Sequence, residues 1–264
     1  MKSELKIFFV ILIFVSLIFQ GIIIAKETAA QSELFEHSQY WVYLLMWTPA
    51  ISALIASRGK FIGQLKLIRE INFKVLLYPV ILIGIFLIAS WLIGDGIVIK
   101  LMKQNYFRLK TQGFLEHSLI LFILFASSAG EEIGWRGYLY PKLRSFMSHR
   151  LASLSVGTIW GLWHIPIILG TQYSAEYSVF ISVICFLGLT ISMSFYMGKV
   201  FEQGRSVLNF VFLHGVHNYI VYFWLLGSQQ RENQPFLYSE FGVLLPIICA
   251  FIYFATRSNS LKNH

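Results

Sequence analysis

The chain has 264 residues, of which 56% are hydrophobic and only 13% are charged, and its mean hydropathy is +0.65. Soluble domains have roughly 45–50% apolar and about 25% charged residues, so the composition excludes an ordinary soluble domain. The net charge of +8 does not come from a clustered basic face, and we therefore expect no nucleic-acid partner.

Eight apolar stretches approach the length of about 20 residues that crosses a bilayer as a helix. They are predicted at about 5–25, 40–57, 74–94, 115–136, 150–169, 178–198, 207–226 and 239–256. The connecting segments are short and hold no repeat or linker. We predict an all-α fold, a polytopic membrane helix bundle of about eight transmembrane helices in one domain over residues 1–264.

The first stretch starts with positive charge, as a signal peptide does, but its apolar run exceeds the roughly 7 to 15 residues of a signal-peptide core. We expect it to be retained as the first span. Cys185 and Cys249 fall in separate apolar stretches, which predicts packing residues rather than a disulfide framework or a metal motif.

The positive charges predict the orientation. With the N-terminus placed inside, 14 of the 21 Lys and Arg residues fall in inner segments, six fall outside, and the last is Arg136. Because inner segments carry the excess of positive charge, both termini are predicted to be cytoplasmic, in a bacterial cell membrane. Four of the six outer charges lie in 95–114, where an interfacial amphipathic segment would alter the span count.

Charged residues enter the fourth predicted span in the string GEEIGWRGYL. A charge inside the bilayer costs roughly 2.5–3.5 kcal/mol on insertion scales, which makes it a functional-site hypothesis. On a helix Arg136 faces Glu132, four residues before it, whereas Glu131 is turned about 100° away. A structural ion pair accounts for Glu132 and Arg136 but not for Glu131, for which we predict a function.

The fifth span contains TIWGLWHIP, with His164 four residues after Trp160. A single His beside tryptophans is more often a hydrogen-bonded core residue than a catalyst. Pro166 removes a backbone donor and can break the helix just past His164, and opening the helix there would make room for water or substrate.

The seventh span contains NFVFLHGVHNYIV, with His214 and Asn218 on one face and His217 between them. Interhelical hydrogen bonding is the alternative for Asn218, and Gly215 is predicted to admit another backbone. At about 1.5 Å per residue, Glu131, His164 and His214 lie about 15, 21 and 10 Å from the inner ends of their spans. The three polar segments are therefore predicted to meet.

Together, EExxxR, WGLWHIP and HGVHN resemble, in order and spacing, the motifs of the CPBP (ABI) family over about residues 115–225. That family comprises CAAX prenyl proteases of the type II kind and bacteriocin-processing or immunity proteins. The resemblance implies an intramembrane endopeptidase, a peptide hydrolase, with eight helices.

The resemblance also implies a role for each matching residue. Glu131 would be the general base and His164 its partner in activating water, while His214 and Asn218 would donate to the tetrahedral oxyanion. The supporting residues would be Glu132, Arg136, His217 and Trp160. At the Trp160 position the family commonly has Phe, and Trp keeps an aromatic wall.

Members of the family are often called metalloproteases, so zinc is the alternative to a metal-free site. Glu131, His164 and His214 would make a three-ligand set with an open fourth position, and His217 is a spare. The sequence has no HExxH, and Glu132 is assigned to Arg136. A glutamate-based mechanism without a cofactor is therefore favoured.

Two other classes of function fit parts of the pattern. A proton- or cation-coupled carrier also places carboxylates, His and Asn inside a bundle, and an inactive immunity or binding protein would keep the cavity without turnover. We expect the partners to be the lipid bilayer and a peptide or protein substrate in the membrane, whether a prenylated CAAX end, a pheromone or a bacteriocin precursor. The sequence predicts no oligomeric state.

Overall fold

The computed structural model of the protein describes residues 2–30, 38–65, 75, 77–93, 113–171, 178–204, 206–221 and 244–255. Within these ranges every regular element is helical. The α-helices are α1 (Lys2–Ala30), α2 (Gln39–Met46), α3 (Thr48–Ala56), α4 (Leu77–Ile93), α5 (Phe114–Glu132), α6 (Tyr140–Arg144), α7 (His149–Gly170), α8 (Val179–Gln203), α9 (Val207–Asn218) and α10 (Leu244–Ala255).

In the described part of the chain, four helical stretches are long and apolar enough to cross a membrane. They are Ser3–Ala29, Leu115–Arg144, His149–Gly170 and Val179–Gln203. Shorter apolar helices occupy Tyr40–Ala56, Val207–Val221 and Leu245–Phe254, and α4 falls on the predicted third span. The predicted all-helical membrane bundle is confirmed, while crossing by all eight helices stays a prediction.

The interfacial segment considered for 95–114 lies outside the described residues, apart from its last two. Most of the predicted outer positive charges lie outside them as well. The cytoplasmic placement of both termini therefore stays a prediction.

The stretch predicted as one helix at 40–57 is two helices. Helix α2 ends at Met46 and α3 begins at Thr48, and Trp47 lies between them. Pro49 lies in the first turn of α3, where its missing N–H has no helical partner to lose. A new helix start at this point therefore accommodates the proline.

The prediction that the helix opens after His164 was wrong, because α7 continues through Pro166 to Gly170. A proline is tolerated in a membrane helix when neighbouring helices supply hydrogen bonds to the backbone around it. One such donor comes from α1, since Gln20 Nε2 donates to the carbonyl oxygen of Trp163 at 2.6 Å.

The fourth predicted span does not end at 136. After α5 the helix widens into a π-helical segment, Ile133–Leu139, and then continues as α6 to Arg144. π-helical turns are rare and occur often at functional sites. This one begins directly after the two glutamates.

Helices α7 and α8 pack closely at two glycines four residues apart. A Cβ on Gly157 would lie 2.6 Å from Ile191 Cα, and one on Gly161 would lie 2.7 Å from Thr190 Oγ1. Small residues at this spacing allow membrane helices to approach backbone to backbone. Trp160 lies between the two glycines, so this contact determines where its indole lies.

Polar contacts attach α1 to its neighbours. Ser16 Oγ lies 2.8 Å from Thr48 Oγ1 and accepts a hydrogen bond from Trp163 Nε1 at 2.7 Å. The predicted packing role of the cysteines is confirmed, because Cys185 and Cys249 are buried and free.

Replacing Gly157 by Ala should lower the free energy of unfolding by about 1–3 kcal/mol, since overpacking forces the α8 backbone to shift. Gly21→Ala on α1 is the matched control, because nothing lies within 4 Å of its added Cβ. Denaturant titration in mixed micelles measures both. An unchanged stability of Gly157→Ala would contradict the close α7–α8 contact.

Candidate active site

The three polar segments predicted from the sequence meet inside the bundle. Glu131 and Glu132 end α5, Arg136 lies in the π-helical segment, and α7 contributes Trp160 and His164. His214 and Asn218 come from α9. All of these side chains are buried except that of His164, which is half-buried.

The Glu132 carboxylate accepts two charge-assisted hydrogen bonds on one oxygen. Arg136 Nη1 and His214 Nδ1 each lie 2.9 Å from Glu132 Oε1. Glu132 and Arg136 are 0% and 1% exposed, so water does not screen the pair. The predicted Glu132–Arg136 couple is confirmed, and His214 is a further member that links α9 to α5.

Glu131 has a different environment from its neighbour. Two indole N–H groups donate to its Oε2 atom, that of Trp160 at 2.6 Å and that of Trp135 at 3.3 Å. Within the described residues it forms no ion pair. As the helical spacing predicted, Arg136 pairs with Glu132 and forms no salt bridge with Glu131.

One hydrogen bond settles which nitrogen of His164 carries the proton. Nδ1 lies 2.8 Å from the backbone carbonyl oxygen of Trp160, which can only accept, so Nδ1 donates. In a neutral ring Nε2 then has the lone pair and can accept a proton or bind a metal. The rings of Trp163 and Phe186 pack edge-on against the imidazole, with centroids 4.6 and 4.8 Å away.

Trp160 contacts most of the site. Besides its bond to Glu131, its ring lies 4.4 Å from the guanidinium carbon of Arg136 and packs edge-on against His214, with centroids 5.2 Å apart. The expected aromatic wall is present. The structure adds a hydrogen-bond donor to it, which a phenylalanine would lack.

Two residues of α9 face different surroundings. Asn218 is buried one turn after His214, and in the described part of the chain its amide makes no hydrogen bond. His217, the predicted spare metal ligand, instead pairs through Nδ1 with the Tyr78 hydroxyl at 2.7 Å. Gly215 was predicted to admit another backbone, and this was wrong, because the atoms that approach it belong to the Phe125 ring.

The possible zinc ligands do not form a preassembled set. Among the described residues, no three His, Cys, Asp or Glu side chains are arranged to hold a metal ion. His214 Nδ1 is bonded to Glu132, and Glu131 Oε2 accepts from two indoles. As placed, the donor atoms do not fit the three-ligand zinc site that was the alternative to a metal-free site.

Three contributing residues were not predicted as site residues. Ser194 Oγ accepts from Arg136 Nη2 at 2.8 Å, Trp135 reaches Glu131, and Tyr78 pairs with His217. Trp135 lies four residues after Glu131, so helical spacing contained a signal for it. Ser194 and Tyr78 come from other helices, and only the packing reveals them.

The segment that carries this site matches a known group of proteases. Residues 113–220 match the family described as type II CAAX prenyl endopeptidase, Rce1-like. Over these residues the match confirms the resemblance to the CPBP proteases. The family also agrees with the membrane location indicated by the spans.

A curated relative supports the same assignment. The chain is 27% identical over 162 residues to CAAX prenyl protease 2 of Methanococcus maripaludis. The match covers 55% of this chain and 58% of that protein. Both findings concern proteases, which supports the prediction of a CPBP-type enzyme over a carrier.

Replacing Arg136 by Met should lower the free energy of unfolding by about 3–5 kcal/mol, because it leaves a buried carboxylate short of a cation. The double variant Glu132→Gln with Arg136→Met should recover part of that loss. Denaturant titration in mixed micelles measures both variants.

Lys142→Met is the matched control for the ion pair. Lys142 binds Glu4 at 2.5 Å, but the two side chains are 28% and 33% exposed, so its loss should cost at most about 1 kcal/mol. Equal losses for Arg136→Met and Lys142→Met would contradict a special role for the buried pair.

Proposed function

We propose that the protein is an intramembrane endopeptidase in which Glu131 is the general base. One observation carries the proposal: both adjacent glutamates are buried, and within the described residues Glu132 forms the ion pairs while Glu131 forms none. A carboxylate buried without a cation partner is expensive, so a structural role does not explain Glu131. The matched endopeptidase family supplies the reaction class.

In the proposed reaction a water molecule lies between Glu131 and the Nε2 atom of His164. Glu131 removes one proton as the water oxygen attacks the scissile carbonyl carbon, while His164 accepts a hydrogen bond from the second water proton. When the tetrahedral intermediate collapses, Glu131 returns its proton to the leaving nitrogen and the C–N bond breaks. The products are a carboxylic acid and an amine.

The oxyanion requires donors, and His214 and Asn218 are the proposed ones. His214 already uses Nδ1 toward Glu132, so it can donate to an oxyanion only from a protonated Nε2. Its contact with the Glu132 carboxylate stabilises the imidazolium that has both protons. Asn218 would donate from its amide, one turn farther along the same face.

The proposed mechanism is metal-free, and metal analysis tests it. The purified protein should contain less than about 0.1 zinc per chain and keep its activity in a chelator. A zinc site with a single exchangeable position needs three protein ligands, and the described residues do not form such a set. Stoichiometric zinc together with loss of activity on chelation and recovery on zinc addition would overturn the metal-free reading.

The proposed substrates are peptides or protein ends held at the membrane. The matched relative is named a CAAX prenyl protease, which makes a prenylated CAAX peptide the first substrate to assay. Pheromone precursors, bacteriocin precursors and membrane-protein tails are the other members of this substrate class. We place the reaction in the cell membrane, near the cytoplasmic face.

Glu131→Gln, His164→Ala and His214→Ala should each reduce cleavage by at least about a hundredfold, in line with the loss of a general base or an oxyanion donor. The measurement compares membrane and secreted peptides from cells carrying each variant, together with cleavage of a farnesylated CAAX peptide by purified protein.

Glu202→Gln is the matched control, because this carboxylate lies on α8 and pairs with Arg144 outside the site. It should leave the peptide profile unchanged. All variants must elute as folded protein from size-exclusion chromatography. Cleavage by Glu131→Gln at the wild-type rate would refute the proposed base.

A further inference from the structure

We infer that Trp160 is a positioning residue whose indole N–H holds the Glu131 carboxylate in one orientation, so that Oε1 is the oxygen that takes the proton from water. The inference rests on the proposed function and extends it to a residue outside the proton transfer. It also explains why the ring at this position is an indole.

The hydrogen bonds of Glu131 distinguish its two oxygens. The N–H groups of Trp160 and Trp135 both end on Oε2, at 2.6 and 3.3 Å. No described residue donates to Oε1. An indole nitrogen can only donate, so neither Trp can remove the proton that Glu131 takes up. The two indole hydrogen bonds therefore hold Oε2 and leave Oε1 to take the proton from water.

The position of Trp160 is itself fixed from several sides. Helix α7 packs closely against α8 at Gly157 and Gly161. The Trp160 ring packs against the Arg136 guanidinium and against His214. Only 4% of the residue is exposed. The donor is therefore set by helix packing before substrate arrives, which is the property that orientation effects require.

A glutamate without such a donor would sample several carboxylate orientations, because the terminal torsion of Glu is broad and roughly two-fold. Each rotation would move the basic oxygen away from the attacking water. A phenylalanine at position 160 would fill the same wall and supply no donor. The indole N–H thus adds an orientation that ring packing alone does not provide.

The test removes the N–H and keeps the ring. Trp160 is replaced by benzothienylalanine, in which sulfur stands in place of the indole N–H, with Trp160→Phe as a second variant. Cleavage of a farnesylated CAAX peptide, or of a membrane peptide shown to depend on Glu131, should fall about ten- to hundredfold in kcat, as expected for a lost hydrogen bond to a charged group. KM should change less than about twofold, because in this proposal Trp160 acts through Glu131 and not on the substrate.

Trp163 is the matched control. Its indole N–H also makes a buried hydrogen bond, to Ser16 Oγ at 2.7 Å, but it does not contact Glu131. Benzothienylalanine at Trp163 keeps the ring packed against His164 and removes only the bond to Ser16, so kcat should stay within about twofold of wild type. Trp135, with the longer bond, should give an intermediate loss. Equal kcat losses at positions 160 and 163 would mean that Trp160 is merely structural.

Infrared spectroscopy gives a readout without substrate. The difference spectrum between wild type and Glu131→Gln isolates the carboxyl bands of Glu131, and these should shift when the Trp160 N–H is removed. Unshifted bands, or wild-type kcat in both Trp160 variants, would overturn the inference. Wild-type cleavage by Glu131→Gln would instead refute the proposed base, so the two failures are distinguishable.

Discussion

The buried carboxylate of Glu132 needs partners that stabilise its charge, and the helices around it supply them. Glu132 is fully buried, and its carboxylate is bound by Arg136 from the next turn and by His214 from α9. Ser194 Oγ accepts a hydrogen bond from the other terminal nitrogen of the guanidinium, Nη2. Three helices and the π-helical segment are thereby held together by charge-assisted hydrogen bonds, which are stronger than neutral ones.

That arrangement also separates the two glutamates by chemistry. The ion pairs are formed by Glu132, and among the described residues the hydrogen bonds to Glu131 come from two neutral indoles. Two residues adjacent in the chain thus have unlike surroundings, in the way that enzymes assign different tasks to paired carboxylates. The α7–α8 contact at the two glycines supplies the geometry, because it determines where the Trp160 indole lies relative to α5.

Helical spacing and hydropathy were sufficient for the coarse structure and for part of the site. The all-helical bundle, the Glu132–Arg136 couple and the meeting of the three polar segments all follow from local periodicity and depth. Partners on distant helices, such as Ser194 and Tyr78, were not predictable, because an isolated Ser or Tyr in an apolar stretch carries no directional signal. The continuity of α7 through Pro166 was also missed, and the Gln20 side chain of α1, which donates to the Trp163 carbonyl beside it, gave no signal in the sequence.

The order of these groups along the chain has a consequence for biosynthesis. Glu131, Glu132 and Arg136 are made together, so these three residues carry one more negative charge than positive when they are first made. His214, which binds Glu132, follows 82 residues later. A ribosome adds about 5–20 residues per second, so several seconds pass before α9 exists. During that interval α5 must be sheltered from lipid by the insertion machinery or by earlier helices, and the polar centre closes only when α9 enters the membrane.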